Sequence, residues 1–183
     1  MDLMNECIHE AEKDKTLQED LEYIANSKIN FEELRNSTIL ITGATGLIGV
    51  SLVRTLLCVN RIKKLNYHVI ALIRNREKAE NIYKWLLDRK DLSLVVSDVT
   101  EKISVPQKVD YIIHCASVTA SKIMVSNPVE TLLTSVEGTK NVLNFAKENA
   151  CRSVVYVSSM EMYGSFSKEN DNVTEKELGY IDP

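Results

Sequence analysis

The sequence predicts an α/β fold, a doubly wound parallel sheet covered by helices on both faces. Three observations support this prediction. Short apolar runs recur along the chain, stretches with helical spacing separate them, and a glycine-rich turn at residues 42–49 (TGATGLIG) leads from the first run into a helix. Strands that are apolar throughout are typical of a parallel sheet buried on both sides.

The predicted elements alternate from residue 38 onward. The apolar runs predict five strands, at residues 38–42, 67–73, 92–96, 109–115 and 153–157. Helical spacing predicts three helices, at residues 46–59, 76–88 and 128–150. Pro128 suits the first turn of the last helix, where the missing N–H needs no partner. All of these elements fit one domain, residues 37–183.

The glycine-rich turn is the most informative functional feature of the chain. Gly43 lets the chain turn sharply, Gly46 lets a ligand approach the backbone, and Gly49 lets the helix pack close to the sheet. Free N–H groups at a helix start attract anions, so we expect a dinucleotide pyrophosphate here and a Rossmann-type fold around it. The predicted contacts are Gly43, Thr45, Gly46, Leu47, Ile48 and Gly49. The spacing is G-x-x-G-x-x-G, and the alternative is a tight turn without a ligand.

The first 36 residues differ in composition from the rest. They hold ten acidic and four basic side chains, a net charge of −6 in a chain whose total is −4. Leu17, Leu21 and Ile24, with Tyr23 beside them, form a partial apolar stripe at helical spacing. We expect an acidic N-terminal helical extension, residues 1–36, that packs on the edge of the domain. A partner-binding role is the alternative.

Composition excludes several classes of protein. The 183 residues are 44% hydrophobic, which fits a globular domain with a core, and the negative charge gives no indication of nucleic-acid binding. No apolar run approaches the roughly 18 residues of a membrane span, and the acidic start does not resemble a signal peptide. The cysteines form no C-x-x-C pair and the histidines no metal-ligand pattern. Free thiols in a reducing, cytoplasmic compartment are therefore expected, with no metal site.

Four blocks of sequence resemble the extended short-chain dehydrogenase/reductases, the NAD-dependent epimerase/dehydratase family. They are residues 42–49, 97–99 (SDV), 114–117 (HCAS) and 158–164 (SSMEMYG), each following a predicted strand or its turn. Together they cover residues 38–164. The resemblance implies NAD or NADP as cofactor, a nucleotide sugar as substrate, and transient hydride transfer at a sugar carbon.

The resemblance also places cofactor contacts after the third and fourth strands. It implies that Asp98 and Val99 lie near the adenine, and that Cys115, Ala116 and Ser117 lie against the cofactor. The alternative role of Asp98 is to cap the next turn, and that of Ala116 and Ser117 is close packing.

Ser135 is a further predicted contact that departs from the family. The family commonly has an asparagine at this position, bonded to backbone near the active site. Serine is shorter, so that contact is expected to be altered or bridged by water.

The sequence leaves the choice between NAD and NADP open. An NAD site usually carries an acidic residue at the end of the second strand, but this position is Ile73. Arg74 follows, beside Asn75, and an arginine can pair with a 2′-phosphate. The alternative for Arg74 is a solvent-facing side chain. Many members of the family recycle a bound NAD internally, which favours NAD.

The block after the fifth strand carries the predicted catalytic residues. By resemblance, Ser159 hydrogen-bonds the reacting oxygen, and Glu161 acts as an acid or base at the sugar ring or forms a structural hydrogen bond. Met160 stands where the 4,6-dehydratases have a proton-donating aspartate, which makes a 4,6-dehydratase reaction a weaker prediction. A UDP-glucuronate decarboxylase-like or an epimerase-like reaction is expected.

The Tyr-x-x-x-Lys pair that the family uses is absent from this chain. No tyrosine is followed by a lysine four residues later, and the resemblance places the pair beyond Pro183. We therefore expect a portion truncated before the Tyr/Lys helix, which binds a dinucleotide weakly and does not turn over. The full-length protein is expected to be a homodimer through residues 128–150. The alternative is a non-catalytic NAD(P)-sensing or scaffold module.

Overall fold

The computed structural model describes residues 9–165, 173–176 and 179–180. At its centre is a five-stranded sheet in the order β3-β2-β1-β4-β5, with every neighbouring pair parallel. The strands are β1 Thr38–Thr42, β2 His68–Ile73, β3 Leu92–Val96, β4 Tyr111–His114 and β5 Ser153–Tyr156. The strand order reverses between β1 and β4, so the predicted doubly wound α/β fold is confirmed.

Five α-helices accompany these strands in the described part of the chain. They are α1 Lys15–Ala25, α2 Leu47–Lys63, α3 Arg76–Ile82, α4 Ser121–Ser126 and α5 Pro128–Glu148. Short 3-10 turns lie at Phe31–Leu34, Lys84–Leu86 and Met160–Tyr163. Among the described residues, no helix combines the length and the apolar character needed to cross a membrane.

The helix bounds differ from the prediction where tertiary contacts intervene. The helix predicted at residues 76–88 breaks at Tyr83, whose backbone leaves helical geometry at φ −107°. The Tyr83 side chain is fully buried, and its hydroxyl donates to the carbonyl of Ala44 in the glycine turn. α4 was not predicted, because none of its six residues is buried and its sequence therefore shows no core-facing stripe.

Alternate side chains of the strands enter two cores, one on each face of the sheet. On one face, Ile39 and Ile41 of β1 pack beneath α2. On the other face, Leu40 packs with Val142 and Phe145 of α5. Because both faces are covered, the carboxyl ends of the strands are where a ligand can reach the sheet.

The acidic N-terminal segment is joined to the sheet by both apolar and ionic contacts. Leu21 and Ala25 of α1 are buried against α2. Ahead of α1, Glu10 is completely buried, and its carboxylate accepts hydrogen bonds from Arg61 of α2 and from Arg89. The segment is therefore held by a buried ion pair as well as by an apolar helix face.

Candidate functional site

A cleft of about 840 Å³ opens at the carboxyl ends of β1, β2 and β4. Its lining comes from the glycine turn, the end of β2, Ser97 and Val99 after β3, residues 115–120 after β4, the start of α4 and the first two turns of α5. The cleft lies where the strand order reverses, the usual ligand position in an open α/β sheet.

Two glycines of the turn allow backbone contacts that no side chain would permit. Gly43 has φ +65°, and a Cβ built there would lie 2.8 Å from the nitrogen of Ala116. A Cβ on Gly49 would lie 2.2 Å from the carbonyl oxygen of Gly43. The turn therefore packs directly on the loop after β4 and on the first turn of α2.

The N-terminus of α2 is open toward the cleft. Gly46 is the N-cap and provides no side chain to cap the helix. The first intrahelical bond runs from the N–H of Val50 to the carbonyl of Gly46 (2.9 Å), so the N–H groups of Leu47, Ile48 and Gly49 have no intrahelical acceptor. Leu47 is 87% exposed and lines the cleft with Thr45. A helix start of this kind attracts an anion.

Behind the turn, a buried polar chain ties the ends of β1 and β4 to α5. The hydroxyl of Thr42 accepts from the N–H of Ala116 (3.1 Å) and lies 2.7 Å from Nδ1 of His114. One hydrogen bond joins this hydroxyl to Nδ1, and the tautomer of the imidazole sets which of the two groups donates. The other ring nitrogen, Nε2, lies 3.2 Å from Oγ1 of Thr139 in α5.

Burial lowers the pKa of His114, so protonation opposes folding. Below the unfolded value of about 6.5, the unfolded chain takes up this proton more readily than the folded one, and stability falls as the pH falls. We expect the free energy of unfolding to decrease, through His114 alone, by up to about 1.4 kcal/mol for each unit that the pH falls below 6.5.

Denaturant unfolding at a series of pH values measures this slope. The variant His114→Gln should lack this component, and an equal slope in variant and wild type would contradict it.

The end of β2 carries positive rather than negative charge. Ile73 is buried, lines the cleft and provides no carboxylate. Arg74 lines the cleft with an exposed side chain, and Lys78 of α3 lines it too. Asn75 does not line the cleft; its side chain caps α3 by accepting from the N–H of Lys78 (2.8 Å).

The side chain of Asp98 is used within its own loop. Its Oδ1 accepts from the N–H and the hydroxyl of Thr100, at 2.9 and 2.8 Å. Partial burial alone would raise the pKa of Asp98, but these bonds and the nearby Arg74 outweigh it and hold the pKa below its usual value. Asp98 caps the turn and lies at the margin of the cleft, whereas Val99 lines it.

The loop after β4 forms the floor of the cleft. Cys115, Ala116 and Ser117 all line it, and their contact with a cofactor stays a prediction. Burial raises the pKa of the Cys115 thiol, which keeps it in the unreactive protonated form.

Two residues predicted late in the chain, Ser135 and Ser159, do not line the cleft. The hydroxyl of Ser135 donates to the carbonyl of Thr131 one turn earlier (3.1 Å), and Thr131 and Thr134 line the cleft instead. Ser159 is exposed after β5 and lies outside the lining. The side chain of Glu161 lies outside the described residues.

Several lining residues were missed by the sequence prediction. Lys78 has a detectable pattern, since it stands four residues after Arg74 at the start of α3. The segment from Val118 to Ala120, Ile123 of α4 and Thr134 have none, because their position depends on how α4 and α5 return across the strand ends.

Comparison with known proteins identifies the family. The model of the NAD dependent epimerase/dehydratase family matches residues 39–182, most of the chain. The chain belongs to this family. The match includes the segments that line the cleft, namely the glycine turn, the end of β2 and the loops after β3 and β4.

Relatives in this epimerase/dehydratase family include nucleotide-sugar enzymes. The chain is 34% identical over 129 residues to UDP-glucuronic acid decarboxylase 6 of Arabidopsis thaliana, covering 70% of this chain and 35% of that protein. The chain therefore spans about a third of the length of this relative. The chain is also 29% identical to UDP-glucuronic acid decarboxylase 1 of Xenopus tropicalis, over 79% of this chain and 32% of that protein.

Solved structures of similar fold contain dinucleotides. DesIV, a dTDP-glucose 4,6-dehydratase of Streptomyces venezuelae solved with NAD and TYD, matches with a TM-score of 0.61 and 27% identity over 72% of this chain and 42% of that one. Yeast Gre2, a methylglyoxal/isovaleraldehyde reductase solved with NADPH, matches with a TM-score of 0.52 and 25% identity over 69% of this chain and 38% of that one.

Proposed function

We propose that this chain is the dinucleotide-binding part of a nucleotide-sugar enzyme that uses NAD or NADP. The open N-terminus of α2 carries the proposal. A glycine N-cap, three N–H groups without intrahelical acceptors and a cleft at the strand ends together fit a pyrophosphate. The NAD and NADPH in the two related structures support this choice of cofactor.

The residues of the chain would act by binding and orientation. The turn at Gly43–Gly49 would hold the pyrophosphate, and the floor at Cys115–Ser117 would lie along the cofactor. The nicotinamide, when bound, would take a hydride from a sugar carbon and return it. Ser159 would donate a hydrogen bond to the reacting oxygen, and Glu161 would serve as acid or base at the sugar ring.

Among the reactions of the family, a UDP-glucuronate decarboxylase-like reaction is the first candidate and an epimerase-like reaction the second. The relatedness to UDP-glucuronic acid decarboxylase 6 supports the first. Met160 supports both against a 4,6-dehydratase, because a thioether cannot donate the proton that a leaving hydroxyl needs. The enzyme would accordingly be a lyase or an isomerase acting on a nucleotide sugar.

Binding of the dinucleotide to the purified chain tests the proposal. We expect calorimetry to detect weak, saturable binding of NAD, NADP or both. Adenosine, which has no pyrophosphate to meet the start of α2, should bind at least about tenfold more weakly. Absence of binding for both dinucleotides would contradict the proposed site.

A non-catalytic NAD(P)-sensing or scaffold module is the alternative. Under either proposal the 183-residue chain should show no hydride transfer with nucleotide sugars. Such turnover would overturn the module and the expectation that this chain is inactive without a Tyr-x-x-x-Lys pair. A longer chain that includes the pair separates them, because the enzyme should then turn over and the module should not.

The proposal extends to assembly and location. α5 exposes Val129, Leu132, Val136 and Leu143, an apolar face of the sort that pairs subunits. We propose a homodimer of the full-length protein through this helix. Three free cysteines in the described residues support a reducing, cytoplasmic location.

A further inference from the structure

The end of β2 bears on which dinucleotide the cleft prefers. The two cofactors differ there by one group, since NADP carries a phosphate monoester on the adenosine 2′-oxygen where NAD carries a hydroxyl. A carboxylate at this strand end binds the free hydroxyls and repels the phosphate. In this chain the position is Ile73, a buried apolar side chain that lines the cleft and accepts no hydrogen bond.

Two cations take the place of that carboxylate. Arg74 follows directly after β2 and Lys78 lies in the first turn of α3, and both line the same cleft. The bond from the Lys78 N–H to the Asn75 side chain (2.8 Å) fixes the short segment between them. The two cationic side chains therefore approach the same end of the cleft from neighbouring positions.

The nearby carboxylate leaves Arg74 available. Oδ2 of Asp98 lies 4.0 Å from Nη1 of Arg74, at the limit of an ion pair, and the Arg74 side chain is 69% exposed, so the pair is weak. The other oxygen of Asp98 is already occupied by Thr100. A guanidinium has five N–H donors, and a distant solvated carboxylate uses little of that capacity. Glu130 also lines the cleft, but it belongs to α5 rather than to the end of β2.

We propose that Arg74 and Lys78 form a 2′-phosphate subsite and that this chain binds NADP in preference to NAD. This inference rests on the proposed dinucleotide site and assigns its specificity. The phosphate monoester carries a charge of about −1.5 to −2 at neutral pH, so a guanidinium and an ammonium together neutralise it. Without a carboxylate at Ile73, the ribose hydroxyls of NAD gain no matching acceptor there.

The test is calorimetric titration of the full 183-residue chain with NAD and NADP, and with adenosine 2′,5′-bisphosphate and AMP as probes of the phosphate alone. We expect NADP to bind at least about tenfold more tightly than NAD, and the bisphosphate to exceed AMP similarly. The preference should shrink at high salt, since the contact is exposed and ionic.

The variants Arg74→Ala and Lys78→Ala should each lower the NADP-to-NAD affinity ratio by about tenfold. Arg76→Ala is the matched control. It removes the same charge between the two positions, but Arg76 pairs with Glu80 at 3.0 Å and does not line the cleft, so the ratio should not change. The bisphosphate probe repeats the comparison without the nicotinamide half.

The outcomes separate this inference from the proposed function. NAD binding as tightly as NADP, or an unchanged ratio in both variants, would leave the dinucleotide cleft standing and overturn the phosphate subsite. A fall of the ratio in Arg76→Ala equal to that in Arg74→Ala would also overturn it, because general charge would then explain the preference. Absence of binding for both dinucleotides would overturn the subsite and the dinucleotide site together.

Discussion

The variant Glu10→Ala should lose about 3–5 kcal/mol of unfolding free energy, the loss typical of removing one partner from a buried ion pair. Oε1 of Glu10 accepts from Nε of Arg61 (3.0 Å) and from Nη1 of Arg89 (2.8 Å). Oε2 accepts from Nη2 of Arg61 (2.9 Å) and from Gln18 (3.2 Å). Alanine removes this acceptor set at a position with no solvent access, so Arg61 and Arg89 each lose a counterion.

Chemical denaturation measures this loss, and Glu19→Ala provides the control. Glu19 is an exposed acidic residue of α1, so its removal should change the unfolding free energy by less than about 0.5 kcal/mol. Equal effects of the two substitutions would mean that the ion pair does not hold the N-terminal segment to the sheet.

The Glu10 pair also sets an acid dependence with a definite sign. Burial alone would raise the pKa of Glu10, but hydrogen bonds from Arg61 and Gln18 outweigh it and hold the pKa below its usual value. Its contribution is therefore complete above the unfolded pKa and is lost as the pH falls through the folded one. The gap in stability between wild type and Glu10→Ala should accordingly narrow in acid.

The variant Gly46→Asp should lose at least about 100-fold in dinucleotide affinity, equivalent to about 2.7 kcal/mol, without loss of stability. Gly46 has φ −86° and ψ 170°, the extended geometry of an N-cap, and a Cβ there meets only the oxygen of Gly43 at 3.3 Å. Aspartate is a favourable N-cap, so the helix is kept or strengthened. Its carboxylate would accept hydrogen bonds from the free N–H groups at the start of α2, which a pyrophosphate needs, and its charge would repel the phosphates.

Calorimetry and thermal unfolding together test this substitution. Ser51→Asp adds the same charge to an exposed position of α2 that does not line the cleft, so its affinity should stay close to wild type. Unchanged dinucleotide binding in Gly46→Asp would mean that the start of α2 is not the pyrophosphate site.

Local sequence patterns predicted most of the sheet because its strands are apolar runs, and the side chains of β1 and β2 are buried on both faces. β1 and β3 have the predicted bounds, and β2, β4 and β5 are shorter by one to three residues. Helix ends were predicted less well, since they depend on contacts distant in sequence. α3 ends where Tyr83 turns inward to reach Ala44, a contact between positions 39 residues apart.

The residues of the candidate site show the same contrast between features that local sequence predicts and features that distant contacts determine. The glycine turn and Cys115–Ser117 line the cleft, and the sequence singled them out because each combines a strand end with glycines or small side chains. Their roles in cofactor binding stay predictions. Asn75 and Asp98 line no wall of the cleft, because each caps a neighbouring N–H. The roles of Ser135, Ser159 and Glu161 stay predictions.

The sequence by itself determined the five strands, the glycine turn and the family, because these depend on patterns within a few residues, whereas it did not reveal α4. Only the tertiary structure decided which residues distant in sequence come into contact. It buried Glu10 between Arg61 and Arg89, chain-distant partners whose pairing no local pattern encodes. It also brought Lys78 to the same cleft as Arg74, because the path of the chain after β2 determines where the first turn of α3 lies.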